Sequence, residues 1–508
     1  MAISLRRKPT APRGRYTPNL WPVWIVAPLA LVAAGFIGFV IYHYAYDHFA
    51  QAAEDQTPSK PVDINDVLKA TVTALTLIGA VLAGLYAYRK QLLSEGDAHR
   101  ADASQLADRY TTAAEQLGHD QAAVRLAGVY ALTRLADDWK EQRQVCIDVL
   151  CAYLRMPYEP DSTAHDHKAG EREVRLTIIS VIRDHLQDPK AATAWCGNRL
   201  DFTGAIFDGG DFARSYFEGA VSFDRATFTG RSVSFDGATF DGGTVSFDRA
   251  TFDGDTVSFA DAAFRGGTVT FNRAAFTGGT VSFADAAFRG GTVTFNRAAF
   301  AGATVSFDGT MFRGGTVSFD RTAFSSGTVT FNGTAFSGST VTLGRAAFDG
   351  ATVAFDDAAF SSGAVSFDQA AFSASTVTFR RATFTGSTVT FRRAAFTGGT
   401  IGFLDATFDS GMVAFQGVPI RGGRITFRRA TFSGGTISFE DAALNGGTAD
   451  FDDAILSGGR ITFRRAAFIG GTVNFEDAAL NGGMVDFGNA TFNGTTFTWG
   501  AVPVPSGA

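Results

Sequence analysis

The C-terminal part of the chain is a regular alternation of apolar and polar positions. From Phe223 to Phe492 the phenylalanines recur at gaps of five and seven residues with few slips, as in TVSFDRATFDGG at residues 244–255. Every second residue of V-x-F and A-x-F is apolar, which predicts short strands with one buried face. The glycines between them predict turns. The predicted buried ladder includes Phe247, Phe252, Phe259, Phe264, Phe271, Phe276, Phe283 and Phe288.

Repetition of the same unit predicts a solenoid. One turn cannot bury its own apolar face, but stacked identical turns form a continuous core in which each turn contacts only its neighbours. The twenty-one letters at residues 256–276 return unchanged at 280–300, two twelve-residue units later. Each buried Phe is expected to contribute roughly 1.5–3 kcal/mol before the loss of conformational entropy is subtracted.

Two lengths of turn fit this pattern. A 24-residue turn holds four Phe, two Val and two Ala inside, whereas a 12-residue turn would be flattened and too narrow for facing Phe rings. RITFRRA at residues 424 and 460 recurs after three twelve-residue units and fits twelve better. We favour the 24-residue turn, which predicts roughly 12 turns and a rod of roughly 60 Å at about 4.8 Å per turn.

The start of this region has a simpler spacing. In LDFTGAIFDGGDFARSYFEG, the central residues Phe202, Phe207, Phe212 and Phe217 recur every five residues. This segment resembles the pentapeptide-repeat family, although Leu200 departs from the small residue of the motif. The resemblance implies a mostly β fold, a right-handed β-helix with four five-residue units in each square turn. Each later twelve-residue unit then corresponds to two such units with two extra residues at one corner.

Two apolar stretches precede the repeats. Residues 20–42 carry no charge and are long enough to cross the roughly 30 Å core of a bilayer, and residues 70–88 form a shorter stretch rich in Thr and Gly. Aromatic residues near the ends of the first stretch are typical of membrane interfaces, and small residues in the second permit close helix packing. We predict transmembrane helices at 20–46 and 67–89, joined by a short outside loop at 47–66.

Flanking cations predict the orientation of these two spans. Basic residues crowd the N-terminal segment 1–19, and Arg89 and Lys90 follow the second span, whereas the loop between the spans is mainly acidic. By the positive-inside rule, both termini and the repeat region are expected in the cytoplasm. A cleavable signal peptide is disfavoured because the first apolar run is too long.

A helical neck is predicted at residues 90–190. Leu106, Tyr110, Ala113 and Leu117 recur at helical spacing, and three further segments up to residue 186 repeat that pattern. AEQLGHDQAAVRLAGVYALTRLADD resembles the helical segment of membrane-bound bacterial pentapeptide-repeat proteins, which implies a bacterial plasma membrane location. The neck is expected to seat the first turn of a solenoid at 195–500. The solenoid ends are capped by Trp195 on one side and by Phe497, Trp499 and the tail at 501–508 on the other.

Composition argues against an enzyme. The 508 residues carry a net charge of −6, and the repeat region contains no His, Lys or Cys, which removes the usual bases and nucleophiles. The three cysteines indicate buried thiols in a reducing compartment. His165, Asp166 and His167 lie in a polar loop without a third partner at metal-binding spacing, and we interpret them as solvated. No catalytic residue, cofactor or metal site is predicted.

The favoured hypothesis for function is a membrane-tethered scaffold with an unidentified protein partner. Arginine pairs late in the repeats are expected to stack into one basic strip that meets an acidic partner or anionic lipid. The alternative for these arginines is a soluble surface with interspersed counter-charges, such as Glu440, Asp441, Asp452 and Asp453. The strip would comprise Arg380, Arg381, Arg392, Arg393, Arg428, Arg429, Arg464 and Arg465.

Two further hypotheses stay open at this point, and the oligomeric state is left undetermined. Some pentapeptide-repeat proteins protect DNA gyrase as acidic mimics of duplex DNA, but residues 200–508 mix 28 acids with 22 arginines. A mimic needs a dense surface of one charge sign, so the DNA-mimic role is disfavoured, and so is a nucleic-acid partner. Outward threonines in the T-V-T motifs at 268–270, 292–294 and 328–330 could instead form an ice-binding face, although strands favour Thr in any case.

Overall fold

The computed structural model describes residues 23–54, 63–161, 163–165 and 167–505, and the chain divides into two compact units, residues 1–105 and 106–508. The basic segment 1–19, Trp21, residues 55–62 of the predicted loop, Asp166 and the last three residues lie outside the described residues.

The N-terminal unit contains helix α1 (Val23–Glu54) and the beginning of helix α2 (Ile64–Leu117). Large apolar side chains of both helices are exposed, among them Val32, Phe36 and Leu77. Within the described residues, Ile64–Gly84 is the one helical segment that is long and apolar enough to cross a membrane, with a mean hydropathy of 1.8 and only 12% of its residues buried. The two predicted spans therefore coincide with helices, but the second span and the start of the neck belong to one continuous helix.

Small and hydroxyl-bearing residues are accommodated differently in the two helices. Gly38 of α1 lies against Leu75 of α2, because a Cβ on Gly38 would lie 3.3 Å from Leu75 Cδ1. Gly79 and Gly84 face open space. The predicted close packing of the two helices therefore involves Gly38 of α1 and not the glycines of residues 70–88. The Thr71 and Thr76 hydroxyls donate to carbonyl oxygens one turn earlier, at 2.8 and 2.7 Å, which satisfies these polar groups inside an apolar helix.

The second unit begins with a helical segment, as the sequence predicts. Helix α3 (Ala122–Asp138), a short 3-10 helix (Lys140–Gln142), α4 (Arg143–Arg155) and α5 (Glu171–His185) pack around buried Val129, Leu132 and Ile178. The end of α2 joins this core through Ala113 and Leu117. Gly128 permits the close contact, since any Cβ there would overlap the Leu117 backbone.

The repeats fold into a solenoid of four parallel sheets, which we name A, B, C and D in chain order. Sheets A, B and C have thirteen strands and sheet D has twelve. A representative turn consists of Thr244–Ser246 in A, Thr251–Phe252 in B, Thr256–Ser258 in C and Ala263–Arg265 in D. Sheets A, B and C begin at Leu200–Asp201, Ile206–Phe207 and Gly210–Asp211 and end at Met484–Asp486, Thr491–Asn493 and Thr496–Thr498; sheet D runs from Tyr216–Phe217 to Ala479–Asn481.

Strand pairing confirms the 24-residue turn. Val245 pairs with Val269 and Phe252 pairs with Phe276, each one turn later. The first turn is shorter, since Leu200 pairs with Val221. The 36-residue spacing of the two RITFRRA segments also fits this turn, because it equals one and a half turns. Arg424–Thr426 lies in sheet C and Arg460–Thr462 lies in sheet A. The twelve-residue unit is therefore half a turn, and thirteen strands span about 58 Å.

The eight predicted ladder phenylalanines are all buried, with at most 2% exposure. Phe271 shows the geometry: its ring stacks on Phe247 and Phe295 at 4.7 Å and meets Phe259 and Phe283 edge-on at 6.4 and 5.8 Å. Offset stacks along the axis and edge contacts across it are the arrangements that aromatic quadrupoles favour. The four columns of rings thus fill the interior of the turn.

Both ends of the solenoid are covered where the sequence predicts caps. Trp195 is fully buried and stacks on His185 of α5 at 4.2 Å. Its neighbours continue the backbone pairing, since Tyr216 N donates to Leu186 O at 2.7 Å and Glu218 N donates to Cys196 O at 2.9 Å. At the other end, Phe497 and Trp499 stack at 4.4 Å. These caps prevent the terminal strands from offering open edges.

Candidate functional site: two charged faces of the solenoid

Two corners of each turn are built on the same backbone turn. At the corner between sheets A and B, Ala274 N donates to Phe271 O at 3.1 Å, and Arg273 between them adopts a left-handed conformation with φ of 59°. Half a turn earlier, between sheets C and D, Ala262 N donates to Phe259 O and Asp261 has φ of 58°. The sequence predicted glycines at such positions, but these corners carry exposed charged residues.

The corner between sheets A and B carries a row of arginines, one per turn. Arg345 Nε donates to Gln369 Oε1 at 3.1 Å. Among the residues that the structure describes, the other five guanidinium groups make neither a hydrogen bond nor an ion pair. We call this set the arginine row: Arg225, Arg249, Arg273, Arg297, Arg321 and Arg345.

An open groove of about 880 Å³ runs along this row. Its other wall is a column of Asp and Asn side chains that are already engaged. Asn296 N donates to Asn272 Oδ1 at 3.1 Å, and Asp320 N donates to Asn296 Oδ1 at 3.0 Å, so each side chain caps the next turn. The column stabilises the corner, and the arginine row is the part of the groove that is free to contact a ligand.

A second set of arginines lies on the other side of sheet A. Arg265, Arg289 and Arg313 end consecutive strands of sheet D and pair in register. Between the two sets, sheet A presents outward hydroxyl groups, such as those of Thr268 and Thr292. Sheet A is therefore bordered by arginines on both sides.

Charges over residues 244–348 are separated by side. The corners on either side of sheet A carry eight Arg and two Asp, which gives +6; we call this side the basic face. The corners on either side of sheet C carry five Asp and no Arg, which gives −5; we call this the acidic face. Sheets A and C are half a turn apart, so the faces lie on opposite sides. The acidic face comprises Asp253, Asp255, Asp261, Asp285 and Asp308.

Comparison with known proteins matches the beginning of the solenoid to a known family. Residues 202–245 match the family model described as pentapeptide repeats in nine copies. By this match, residues 202–245 of the solenoid are pentapeptide repeats. No curated protein sequence matches it. A similar solved structure is that of a trypsin-treated form of QnrB1, described as a plasmid-mediated fluoroquinolone resistance protein, with 16% identity, a TM-score of 0.25, and coverage of 45% of this chain and 88% of that chain.

The solenoid divides the predicted arginine strip between two corners. Because one turn comprises two twelve-residue units, arginine pairs in consecutive units lie half a turn apart, and the expectation of one stacked strip is wrong. Arg380, Arg381, Arg428 and Arg429 lie between sheets C and D, whereas Arg392, Arg393, Arg464 and Arg465 lie between sheets A and B.

Several of these late arginines are paired with acids of adjacent turns. Arg381 Nε contacts Asp357 Oδ1 and Arg429 Nε contacts Asp405 Oδ1, both at 2.6 Å. Each guanidinium lowers the pKa of its partner carboxyl by hydrogen bonding. Arg428 pairs with Asp452 at 2.9 Å. Arg465 pairs with Asp441 and Glu440, two of the predicted counter-charges.

The other residues singled out in the sequence do not converge. The T-V-T motifs at 268–270 and 292–294 lie in sheet A, but the motif at 328–330 lies in sheet C, so the three do not form one threonine array. His167 Nδ1 lies 3.1 Å from Glu159 O. The 24-residue period brings three exposed or half-buried carboxylates within 4.8 Å of one another, those of Asp452, Asp453 and Asp477. Asp452 and Asp453 are two of the predicted counter-charges.

Sequence reasoning missed the basic and acidic faces. The signal was present, because alternate twelve-residue units carry Asp at 261 and 285 and Arg at 273 and 297 in the same position of the repeat. The overall count of 28 acids and 22 arginines concealed the separation, since it adds opposite sides of one rod.

Proposed function

We propose that the protein is a non-enzymatic, membrane-anchored rod whose charged solenoid acts as a scaffold and binds an acidic protein partner through its basic face. The observation that carries this proposal is the separation of charge over residues 244–348, +6 beside sheet A and −5 beside sheet C. A surface that needed charge only for solubility would be expected to intersperse the two signs.

The arginine row suits an acidic protein surface that presents several carboxylates. Its members repeat once per turn, at about the 4.8 Å spacing of adjacent strands. Five of its six guanidinium groups have no protein partner among the described residues, so they need not exchange an existing ion pair for a new one. Arginine also binds carboxylates through two parallel hydrogen bonds, which adds geometric specificity.

Anchoring to the membrane is supported by the N-terminal helices. Leu29, Val32 and Phe36 of α1 and Leu77 and Leu82 of α2 are exposed apolar side chains, as expected of residues in contact with lipid. The proposed topology has both termini and the solenoid in the cytoplasm of a bacterial cell, which follows from the flanking cations. A C-terminal reporter that is active only outside the cytoplasm should be silent; activity of that reporter would contradict the topology.

The binding role is tested with the full chain in zwitterionic liposomes and fluorescent poly-glutamate as the probe. Replacing Arg273, Arg297 and Arg321 with Gln, a residue found natively at position 369 of the same corner, should weaken binding at least tenfold at low salt. The matched control is Arg429→Gln, since Arg429 is already paired with Asp405. Equal binding by the triple variant and the wild type would refute the proposed role of the basic face.

DNA mimicry is less well supported by the acidic face. Its five carboxylates span a few turns, whereas duplex DNA presents one negative charge per about 1.7 Å. A stretch of about 19 Å, the span of four turns, would need about eleven charges to match that density. For this reason we propose protein binding as the function of the rod.

A further inference from the structure

The acidic partner can be specified further, on the basis of the proposed function. We propose that the basic face of one chain binds the acidic face of a second copy, so that rods anchored in one membrane associate side by side. The two faces have nearly equal and opposite charge, +6 and −5, within the same turns of one molecule.

The spacing of the two faces supports this partner. Arg265 and Arg289 are one turn apart at the corner between sheets D and A, and Asp261 and Asp285 are one turn apart at the corner between sheets C and D. Both pairs therefore have the same one-turn spacing, and when Arg265 is aligned with Asp261 of the neighbour, Arg289 aligns with Asp285 as well. An extended acidic peptide lacks this match, because its side chains on one side repeat at about 6.6–6.8 Å.

Membrane anchoring gives all copies the same polarity, which this contact requires. Moving one rod sideways without rotation brings its sheet A against sheet C of its neighbour, with both rows running in the same direction. Such a contact joins different surfaces of the two copies, so it leaves one free face on each side and does not close into a dimer. The expected assembly is an open row of rods.

The contact is small, which determines where it should form. Four turns at about 4.8 Å and a face about five residues wide give roughly 300 Å² per partner. Stable complexes bury about 800 Å² per partner, so association in dilute detergent should be weak. Confinement to a bilayer raises the effective concentration of the partner, and salt should weaken the contact because its charges are exposed.

The experiment measures energy transfer between donor- and acceptor-labelled full-length chains in zwitterionic liposomes, after nuclease treatment. The basic-face variant replaces Arg249, Arg273, Arg297 and Arg321 with Asp, which changes that face from +6 to −2. The acidic-face variant replaces Asp261 and Asp285 with Arg, which changes −5 to −1. All six positions are left-handed, and the solenoid natively uses both Arg and Asp at this position of the turn, so the fold should tolerate these exchanges.

The wild type should show energy transfer that falls at least threefold between 50 and 500 mM salt. Each variant alone should show transfer close to that of a non-associating membrane protein. An equal mixture should restore energy transfer well above that of either variant alone, because the first variant retains the acidic face and the second retains the basic face. The signal should stay below that of the wild type, since the mixture can form pairs but not rows. A mixture no better than either variant alone would overturn the proposal.

Other occupants of the basic face give different results. If the face binds nucleic acid, the wild-type signal should depend on added RNA or DNA, and mixing the variants should not restore it, which also overturns the proposal. If poly-glutamate binding depends on the arginine row but the mixture fails, the proposed function survives and self-association does not. If poly-glutamate binding does not depend on the arginine row and the mixture also fails, the proposed function itself is refuted.

Discussion

Arg273 and Asp261 occupy the same backbone position in consecutive half-turns, with φ of 59° and 58°, and lie on opposite sides of the solenoid. The backbone turn is identical, and only the side chain distinguishes the two corners. One scaffold thereby presents opposite charges to opposite sides.

The left-handed corner should respond to side-chain shape more than to charge. At Arg297, with φ of 61°, Gly removes the strain of the left-handed conformation, and Val increases it because of its branched Cβ. We expect Arg297→Gly to raise the free energy of unfolding by about 0.5–1 kcal/mol and Arg297→Val to lower it by about 1–3 kcal/mol. Thermal unfolding followed by circular dichroism measures both, and a more stable Val variant would contradict the prediction.

The paired glycines between sheets D and A should differ in their tolerance of Ala. Gly266 and Gly267 both have positive φ, 66° and 70°. A Cβ on Gly266 meets nothing within 4 Å, whereas one on Gly267 lies well within 3.0 Å of the Gly243 carbonyl oxygen in the preceding turn. Gly266→Ala should cost about 1 kcal/mol, and it serves as the control for backbone strain.

Gly267→Ala should cost clearly more than that control, because the two turns must separate to admit the methyl group. Hydrogen exchange of the amides around Gly243 and Gly267 measures the local opening. Equal exchange in the two alanine variants would show that the turns do not approach as closely as described.

Truncation of one ring in the core should destabilise its neighbourhood. Phe271 is fully buried and contacts six other rings. Phe271→Ala should cost about 3–5 kcal/mol, and amide exchange should accelerate mainly in the adjacent turns, because each turn contacts only its neighbours. Thr268→Ala, on the outward side of sheet A, should leave exchange nearly unchanged, and uniform acceleration along the whole solenoid would be the contrary result.

The cysteines of the helical segment should report on its integrity. Burial raises the pKa of Cys146 and Cys196 to about 11 and that of Cys151 to about 12. The reactive thiolate forms above these values, so at pH 8 only about one thousandth or less of each thiol is ionised. Alkylation by iodoacetamide at pH 8 should be negligible in the native chain and rapid in urea, as read by mass spectrometry. Fast native labelling would mean that the segment opens.

The architecture was largely predictable from the sequence, since the gaps between phenylalanines fix which residues point inward. The volume of facing Phe rings also favoured the 24-residue turn, which the pairing of Val245 with Val269 confirms. The continuity of α2 was not predictable in this way, because the residues from Arg89 onward are mainly polar and charged, and they include Gly96, which is unfavourable inside a helix. Polarity there marked a change of environment and not the end of a helix.

The two charged faces were harder to foresee than the fold. The separation of charge depends on which charged residues lie on the same side of the solenoid. A turn of one twelve-residue unit would place these residues differently from a turn of two. The separation also depends on Arg and Asp adopting a backbone conformation usually associated with Gly, as at Arg273 and Asp261. The expected basic strip failed for the same reason, because Arg381 and Arg393 belong to opposite corners.

The half-turn repeat constrains how the gene can change length. Tandem duplication or loss of a single twelve-codon block would preserve the buried rings but rotate everything after it by half a turn, so the downstream cationic and anionic flanks would trade places. Copying two blocks together keeps every flank in register, and the unchanged copy at residues 256–276 and 280–300 has this spacing. Growth by pairs of blocks would lengthen the rod without mixing its polarity.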